Sequence, residues 1–306
     1  MTMTKHSVPR AAGIRRRTLA VVIGVIAPLA TLGLASPALA TEHHPTGEFA
    51  PFKDCPLSDT TVQDCIFAEA SSGEFTVGKR TVPINKTIIL QGGFRENETT
   101  EKLEFLGAED GNTLSKVALT VPGGLLNVVA PEFLPKFLQE IFNNFINEGI
   151  TGVTATTELA APASSIGLST ENLLFETGTA LSLPLKIKLD NAFLGSSCLV
   201  GSNAAPIVID FTTGTTAPPA PNKPIKGSAG TFEHNANFTL ITLNGGKLVN
   251  NSFAAPGAEG CGGLLSFLID PAVNAALGLP AAAGHNTAIL QGKLSTANAG
   301  AVKASE

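Results

Sequence analysis

Apolar and polar residues alternate along much of this chain with a period of two, the pattern of strands with one buried face. The clearest run is residues 181–189, where Leu183, Leu185, Ile187 and Leu189 alternate with Lys186 and Lys188. Pro184 inside it points to an edge strand or a bulge. β-rich runs fall at 74–77, 81–84 and 87–91, separated by Gly78-Lys79 and Asn85-Lys86, with Gly92-Gly93 closing the third. Further strands are predicted at 103–106, 116–121, 153–159, 172–177, 206–211 and 287–295. Residues 238–243 and 247–253 read as a hairpin around Asn244-Gly245-Gly246. Residues 212–226, rich in Thr and Pro, read as an extended surface loop.

The period lengthens to that of a helix at Leu134, Phe137, Leu138, Ile141, Phe142, Phe145 and Ile146, with Lys136, Gln139, Glu140, Asn143, Asn144 and Asn147 opposite. This spacing predicts a long amphipathic helix, with Pro131 or Pro135 in its first turn and Gly149 just past its end. A shorter helix is predicted from Asp270 as N-cap and Pro271 as N1 to Gly278, stopped by Pro280. The two helices share a frame. Gly123-Gly124-Leu125-Leu126 precedes the first and Gly262-Gly263-Leu264-Leu265 the second, and a strand-like segment follows each. The second copy replaces the Phe stripe with Ala272, Val273, Ala275, Ala276 and Leu277. A shorter echo, Thr87-x-Ile89-Leu90-Gln91-Gly92 and Thr287-x-Ile289-Leu290-Gln291-Gly292, predicts two strands that pair with each other.

Strands do not alternate regularly with helices, so a parallel α/β sheet is not expected. The pattern predicts a mainly-β fold, a β-sandwich or flattened barrel with one long and one short accessory helix. Its domain would span residues 73–298, in two pseudo-repeated halves. Residues 41–72 would form a disulfide-looped segment before it, polar and loose up to Phe52. Residues 299–306 would form a frayed tail.

Residues 1–40 read as a secretory signal peptide. Lys5, Arg10 and Arg15-Arg16-Arg17 form a basic start, residues 19–34 an apolar stretch broken by Pro28, and Ala38-Leu39-Ala40 a small-x-small cleavage site. No membrane span is expected once this leader is removed. The whole chain carries 20 Lys/Arg against 25 Asp/Glu, and the leader takes only basic residues with it. An acidic chain without a basic cluster has no electrostatic footprint for nucleic acid or for anionic lipid. Trp and Tyr are absent although Phe is plentiful, which weighs against a lectin or a glycan hydrolase.

The cysteines are Cys55, Cys65, Cys198 and Cys261. An even number in an exported chain reads as two disulfides. Three connectivities exist, and Cys55–Cys65 with Cys198–Cys261 is favoured because near neighbours find each other easily. No Cys-x-x-Cys and no adjacent His supports a zinc site. Asp54, Asp59 and Asp64 are expected on the surface of the short loop.

No catalytic constellation emerges. Gly-x-Ser-x-Gly, a Walker lysine, Gly-x-Gly-x-x-Gly and His-Glu-x-x-His are all missing. His234 and His285 read as exposed loop or strand residues, and no cofactor is expected. Cleavage after Ala40 would leave Thr41-Glu42-His43 at the N-terminus, where an amine, two amides and an imidazole can surround Cu(II) or Ni(II) in a plane. Asn97-Glu98-Thr99 and Asn237-Phe238-Thr239 match the glycosylation sequon, which matters only in a eukaryotic secretory route. The polar face of the Phe-rich helix, with one Lys among Glu and Asn, does not suit a membrane-surface helix, which leaves two readings. In one it packs on the sheet and completes the core. In the other, Phe137, Ile141, Phe142 and Phe145 line a pocket for an apolar ligand.

Residues 55–65, 81–93, Cys198-Leu199-Val200-Gly201-Ser202, Phe211-Thr212-Thr213-Gly214-Thr215-Thr216 and the proline loop to Gly227 resemble uncharacterised secreted proteins of actinobacteria. That resemblance implies export and a single disulfide-bonded domain, and it supplies no catalytic residue. The functional expectation is an exported, non-catalytic binding or structural module, secreted or held at the cell envelope through an envelope component. One alternative is a carrier of an apolar small molecule. The other is an atypical hydrolase.

Overall fold

The computed structural model describes residues 43–97, 100, 102–125, 132–148 and 151–306, apart from the side chains of residues 142 and 145–148. The leader, Thr41, Glu42, Pro131, Gly149 and part of the Asn97 sequon lie outside the described residues. In chain order the strands begin β1 (Asp64–Val77), β2 (Arg80–Pro83), β3 (Ile88–Asn97), β4 (Lys102–Gly107), β5 (Ala118–Thr120), β6 (Thr154–Leu159) and β7 (Gly167–Leu168). They continue β8 (Leu181–Asp190), β9 (Leu199–Val200), β10 (Ile207–Phe211), β11 (Thr231–His234), β12 (Leu240–Asn250), β13 (Ala258–Glu259) and β14 (Thr287–Asn298). The α-helices are α1 (Lys136–Glu148), α2 (Thr170–Phe175), α3 (Ser266–Leu277) and α4 (Ala299–Ala304).

These strands form two antiparallel sheets of seven. The first runs β11-β12-β14-β1-β3-β4, with β2 folded onto the end of β1. The second runs β13-β9-β8-β6-β5, with β10 and β7 also on β8. Their apolar faces share one core, so the mainly-β sandwich expected from the alternation is the fold observed, and α1 is its one long helix. Along one edge Thr212 and Val249 exchange two backbone hydrogen bonds, of 3.0 and 2.9 Å, and stitch the sheets together.

β8 is the centre of the second sheet rather than an edge, a correction to the reading of Pro184. The Pro184 carbonyl accepts from Ala160 N at 2.9 Å, just past the last β6 pair at Leu159. Amide and carbonyl of one strand residue point to the same side, so the missing N–H falls where β6 has ended. Leu181, Leu183, Leu185 and Leu189 are buried, and each contributes about 1.5–3 kcal/mol.

β1 crosses residue 72 without a break and pairs with β14 from Asp64↔Asn298 to Thr76↔Thr287, so the segment boundary expected there does not exist. Its register shifts between Ala70 and Ser72. That bulge resets the alternation. Ile66, Ala68 and Ala70 belong to the inter-sheet core before it, Phe75 and Val77 after it, while Ser71 and Ser72 are exposed. β12 shifts register in the same place on the other flank of β14, between Asn244 and Gly246. The predicted Asn244-Gly245-Gly246 hairpin is therefore a bulge in one continuous strand. Gly245 takes the left-handed φ of +68° that such a bulge needs, and both flanking runs keep pairing with β14. Between the two bulges sits Gly292, where a Cβ would run into the Glu69 carbonyl.

The strands of the Leu-Gln-Gly echo do not pair with each other. β3 and β14 flank β1 on opposite sides. Gly92-Gly93 does not end β3, which runs on to Asn97 against β4. Residues 172–177 are not a strand. Most of this run belongs to α2, where the Ser169 hydroxyl accepts from Asn172 N and Glu176 takes the left-handed C-cap. Residues 47–52 are one short 3₁₀ helix with Phe52 buried, not a loose arm. Nor is the tail frayed. Asn298 Oδ1 accepts from Gly300 N and Ala301 N and starts α4, whose Val302 is fully buried against Phe52, Cys55 and Cys65. Cys55–Cys65 and Cys198–Cys261 are both formed, with Cα separations of 5.4 and 4.0 Å, as the favoured pairing has it.

Candidate apolar binding cavity

A cavity of about 290 Å³ lies between the sheets at the end bounded by α3. Phe75, Val77 and Val82 wall it from the first sheet. Leu119, Val153, Ile187, Leu189 and Val200 wall it from the second. A smaller hollow of about 90 Å³ lies further along the same interface. β8 borders both, with Leu181 and Leu183 at the smaller and Ile187 and Leu189 at the larger.

The third wall is α3. Ile269, Ala272, Val273, Ala276 and Leu277 recur at i, i+3, i+4, i+7 and i+8 and line the cavity as one stripe. Asp270 is not the N-cap, because the helix begins a turn earlier at Ser266. Its carboxylate instead accepts from Cys261 N at 2.7 Å and Gly260 N at 3.2 Å. Asn274 clamps Ala258 through Oδ1 at 2.6 Å and Nδ2 at 3.1 Å. Together with Cys198–Cys261 these bonds tie α3 to the β9–β13 edge. Ala272 and Ala276 are small, so the stripe leaves room that Phe side chains would fill.

The turn between β1 and β2 closes the cavity near the end of α3. Lys79 N donates to the Leu277 carbonyl at 2.8 Å, and Gly78 N to Asn286 Oδ1 at 2.9 Å. Asn286 is fully buried, and its Nδ2 donates to the carbonyls of Phe253 (2.9 Å), Ala282 (3.1 Å) and Ala281 (3.3 Å). The turn so held presents Arg80 to the cavity. Arg80 is only 8% exposed, its Nε has no hydrogen-bond acceptor, and no ion pair among the described residues includes it. Burial lowers its pKa from the ordinary arginine value, yet a guanidinium keeps its proton in a protein. Among the described residues Arg80 is the one ionisable group of the lining, and Thr157 carries the only other polar side chain.

The described part of the expected ligand face does not line this cavity. Phe137 and Ile141 are 61% and 62% exposed and lie outside the cavity lining, so they neither complete the core nor line the pocket. The side chains of Phe142 and Phe145 lie outside the described residues. The echo of the Gly-Gly-Leu-Leu frame holds locally, since Gly123, Gly124, Gly262 and Gly263 all have positive φ. It was the second copy, with its small side chains, that became a cavity wall.

Arg80 was missed although the sequence carried a signal for it. Residues Arg80, Val82 and Ile84 share the parity of one strand face, and all three are buried. The stripe of α3 was legible in the same way. Of the expected copper or nickel site, His43 is placed with Nδ1 at 2.6 Å from a Glu306 carboxylate oxygen. Among the described residues no group of three His, Cys, Asp or Glu side chains is placed to hold a metal. His234 is exposed on β11 and stacks on Phe238 with ring centroids 3.8 Å apart; His285 is exposed in a loop.

Comparison with protein-family models, with curated proteins and with solved structures finds no match to this chain. No helix among the described residues is long and apolar enough to cross a membrane, which does not bear on β-barrels.

Proposed function

We propose that this domain is an exported, non-catalytic binding module that carries an apolar small molecule between its sheets. The supporting observation is the 290 Å³ cavity, whose lining among the described residues is apolar apart from Arg80 and Thr157. A hollow with so few polar partners is a poor site for water. An apolar ligand there removes apolar surface from water at ~25 cal/mol per Å², so occupancy and stability are coupled.

Export rests on the leader at residues 1–40 and on two disulfides, which persist in oxidising compartments. The envelope or its surroundings would then supply the ligand. Native mass spectrometry of protein purified from its own source tests this reading. The expected result is a population carrying an extra mass that is lost on denaturation and recovered in organic solvent. Protein that carries nothing, and takes up no apolar probe when offered one, contradicts it.

A further inference from the structure

We infer that the ligand is a monoanionic amphiphile, an alkyl chain ending in a carboxylate, and that Arg80 holds its head group. This rests on the carrier reading above and narrows its ligand class. The argument starts from an imbalance. A guanidinium stays charged even when buried, and burying it without a partner costs several kcal/mol. Arg80 is buried, its Nε–H is unanswered, and no acidic side chain among the described residues forms an ion pair with it. Its position is not accidental slack. The turn that carries it is pinned by Lys79 to Leu277 and by Gly78 to the buried Asn286.

The surroundings give the rest of the ligand. Among the described residues every neighbour in the lining except Thr157 is uncharged and apolar, so the body of the ligand must be hydrocarbon. One cation in such a site balances one negative charge, which favours a carboxylate over a dianionic phosphate monoester. The flat fork of the guanidinium matches a carboxylate with two parallel hydrogen bonds. The chain has a direction as well. Lys79, the neighbour of Arg80 in the chain, bonds to Leu277 at the end of α3. Phe193, 61% exposed and part of the lining, is next to Leu194, whose carbonyl accepts from Gly262 N at 2.7 Å just before α3 begins. About 12 Å of helix separates Ile269 from Leu277. The head therefore sits at the Arg80 end, and the chain runs along α3 toward Phe193.

The test compares dodecanoate with 1-dodecanol at about pH 8, by isothermal titration, on the wild-type chain and on Arg80→Met. Wild type is expected to bind the acid at least about tenfold more tightly than the alcohol, the gain of a hydrogen-bonded charge pair in a dry site. Arg80→Met should keep its affinity for the alcohol, lose the preference for the acid, and melt no lower than wild type when ligand-free, since it removes an unpaired buried charge. Equal affinities for the two probes in wild type, or an acid preference that survives in Arg80→Met, overturns the role of Arg80 and leaves the carrier reading standing. Failure of both probes to bind wild type overturns both. An Arg80→Met chain too unstable to fold would show that Arg80 is satisfied within the fold, and overturns the inference too.

Discussion

Whether the space between the sheets is a hollow or a packed core can be decided by the sign of one free-energy change. Ala155 lies on β6 opposite Leu119 and Leu189, and its side chain lines the cavity. Replacing it with Ile adds three carbons directed into that space. At ~0.8 kcal/mol for each buried methylene, Ala155→Ile should stabilise the protein by about 2.4 kcal/mol. Ala180 is the control, because it is fully buried against Leu173 and Leu243 and borders neither hollow. The same three carbons there overpack the core and should cost about 1–3 kcal/mol. Urea unfolding followed by circular dichroism measures both, since a chain without Trp or Tyr gives little intrinsic fluorescence. Midpoints should move in opposite directions at unchanged m-value. Ala155→Ile should also take up less of an apolar probe. Destabilisation of both variants by similar amounts would refute the hollow.

Other consequences can be checked on the same material. Replacing Cys198 and Cys261 by Ala opens a span of 63 residues and should lower stability by about 4 kcal/mol in a chain-entropy treatment, with α3 the first element to lose amide protection in hydrogen exchange; full protection there would contradict the anchoring role. Asn286→Ala orphans the Gly78 amide and the Phe253 carbonyl, since the Ala281 and Ala282 carbonyls keep the Ala255 and His285 amides, and a loss of about 3 kcal/mol is expected by urea titration. Burial raises the Asp64 carboxyl above the ordinary aspartate range, so its ionisation opposes folding, and the stability it costs appears as pH rises through that window. Asp64→Asn should therefore stabilise the protein at neutral pH and match wild type in acid; a pH-independent difference would contradict that origin.

Much of the scaffold could be read from residue order. The β8 stripe, β2, β4, β5, β6 and the long helix follow from local pattern and the disulfide pairing from nearness in sequence, whereas β1 was legible only at its end, 74–77, and β3 only as far as Gln91. What escaped depends on contacts distant in sequence. The bulges at Ser71 and Gly245 exist because β14 runs straight between two strands that each carry an extra residue, so an Asn-Gly-Gly string that elsewhere makes a hairpin here stays in line. The tail is ordered because Val302 packs against Phe52, some 250 positions away, in a cluster next to the paired ends of β1 and β14. The cavity escaped for a different reason. Its lining runs from Phe75 to Leu279 in residues that each look like ordinary core. The bulky Phe face of α1 drew the expectation of a site, but a pocket needs missing volume. Small residues at Ala155, Ala272 and Ala276 supply it. Arg80 alone broke the pattern, a cation on the apolar parity of its strand.

The most direct measurement of the central claim is a nuclear magnetic resonance titration of the methyl-labelled protein with 1-dodecanol. The account predicts saturable shifts and intermolecular cross-peaks from the alkyl chain to the methyls of Leu119, Ile187, Leu189 and Val273, with none to those of Leu138 or Ile141 on α1. Cross-peaks confined to the exposed face of α1, or no saturable binding at all, would contradict it.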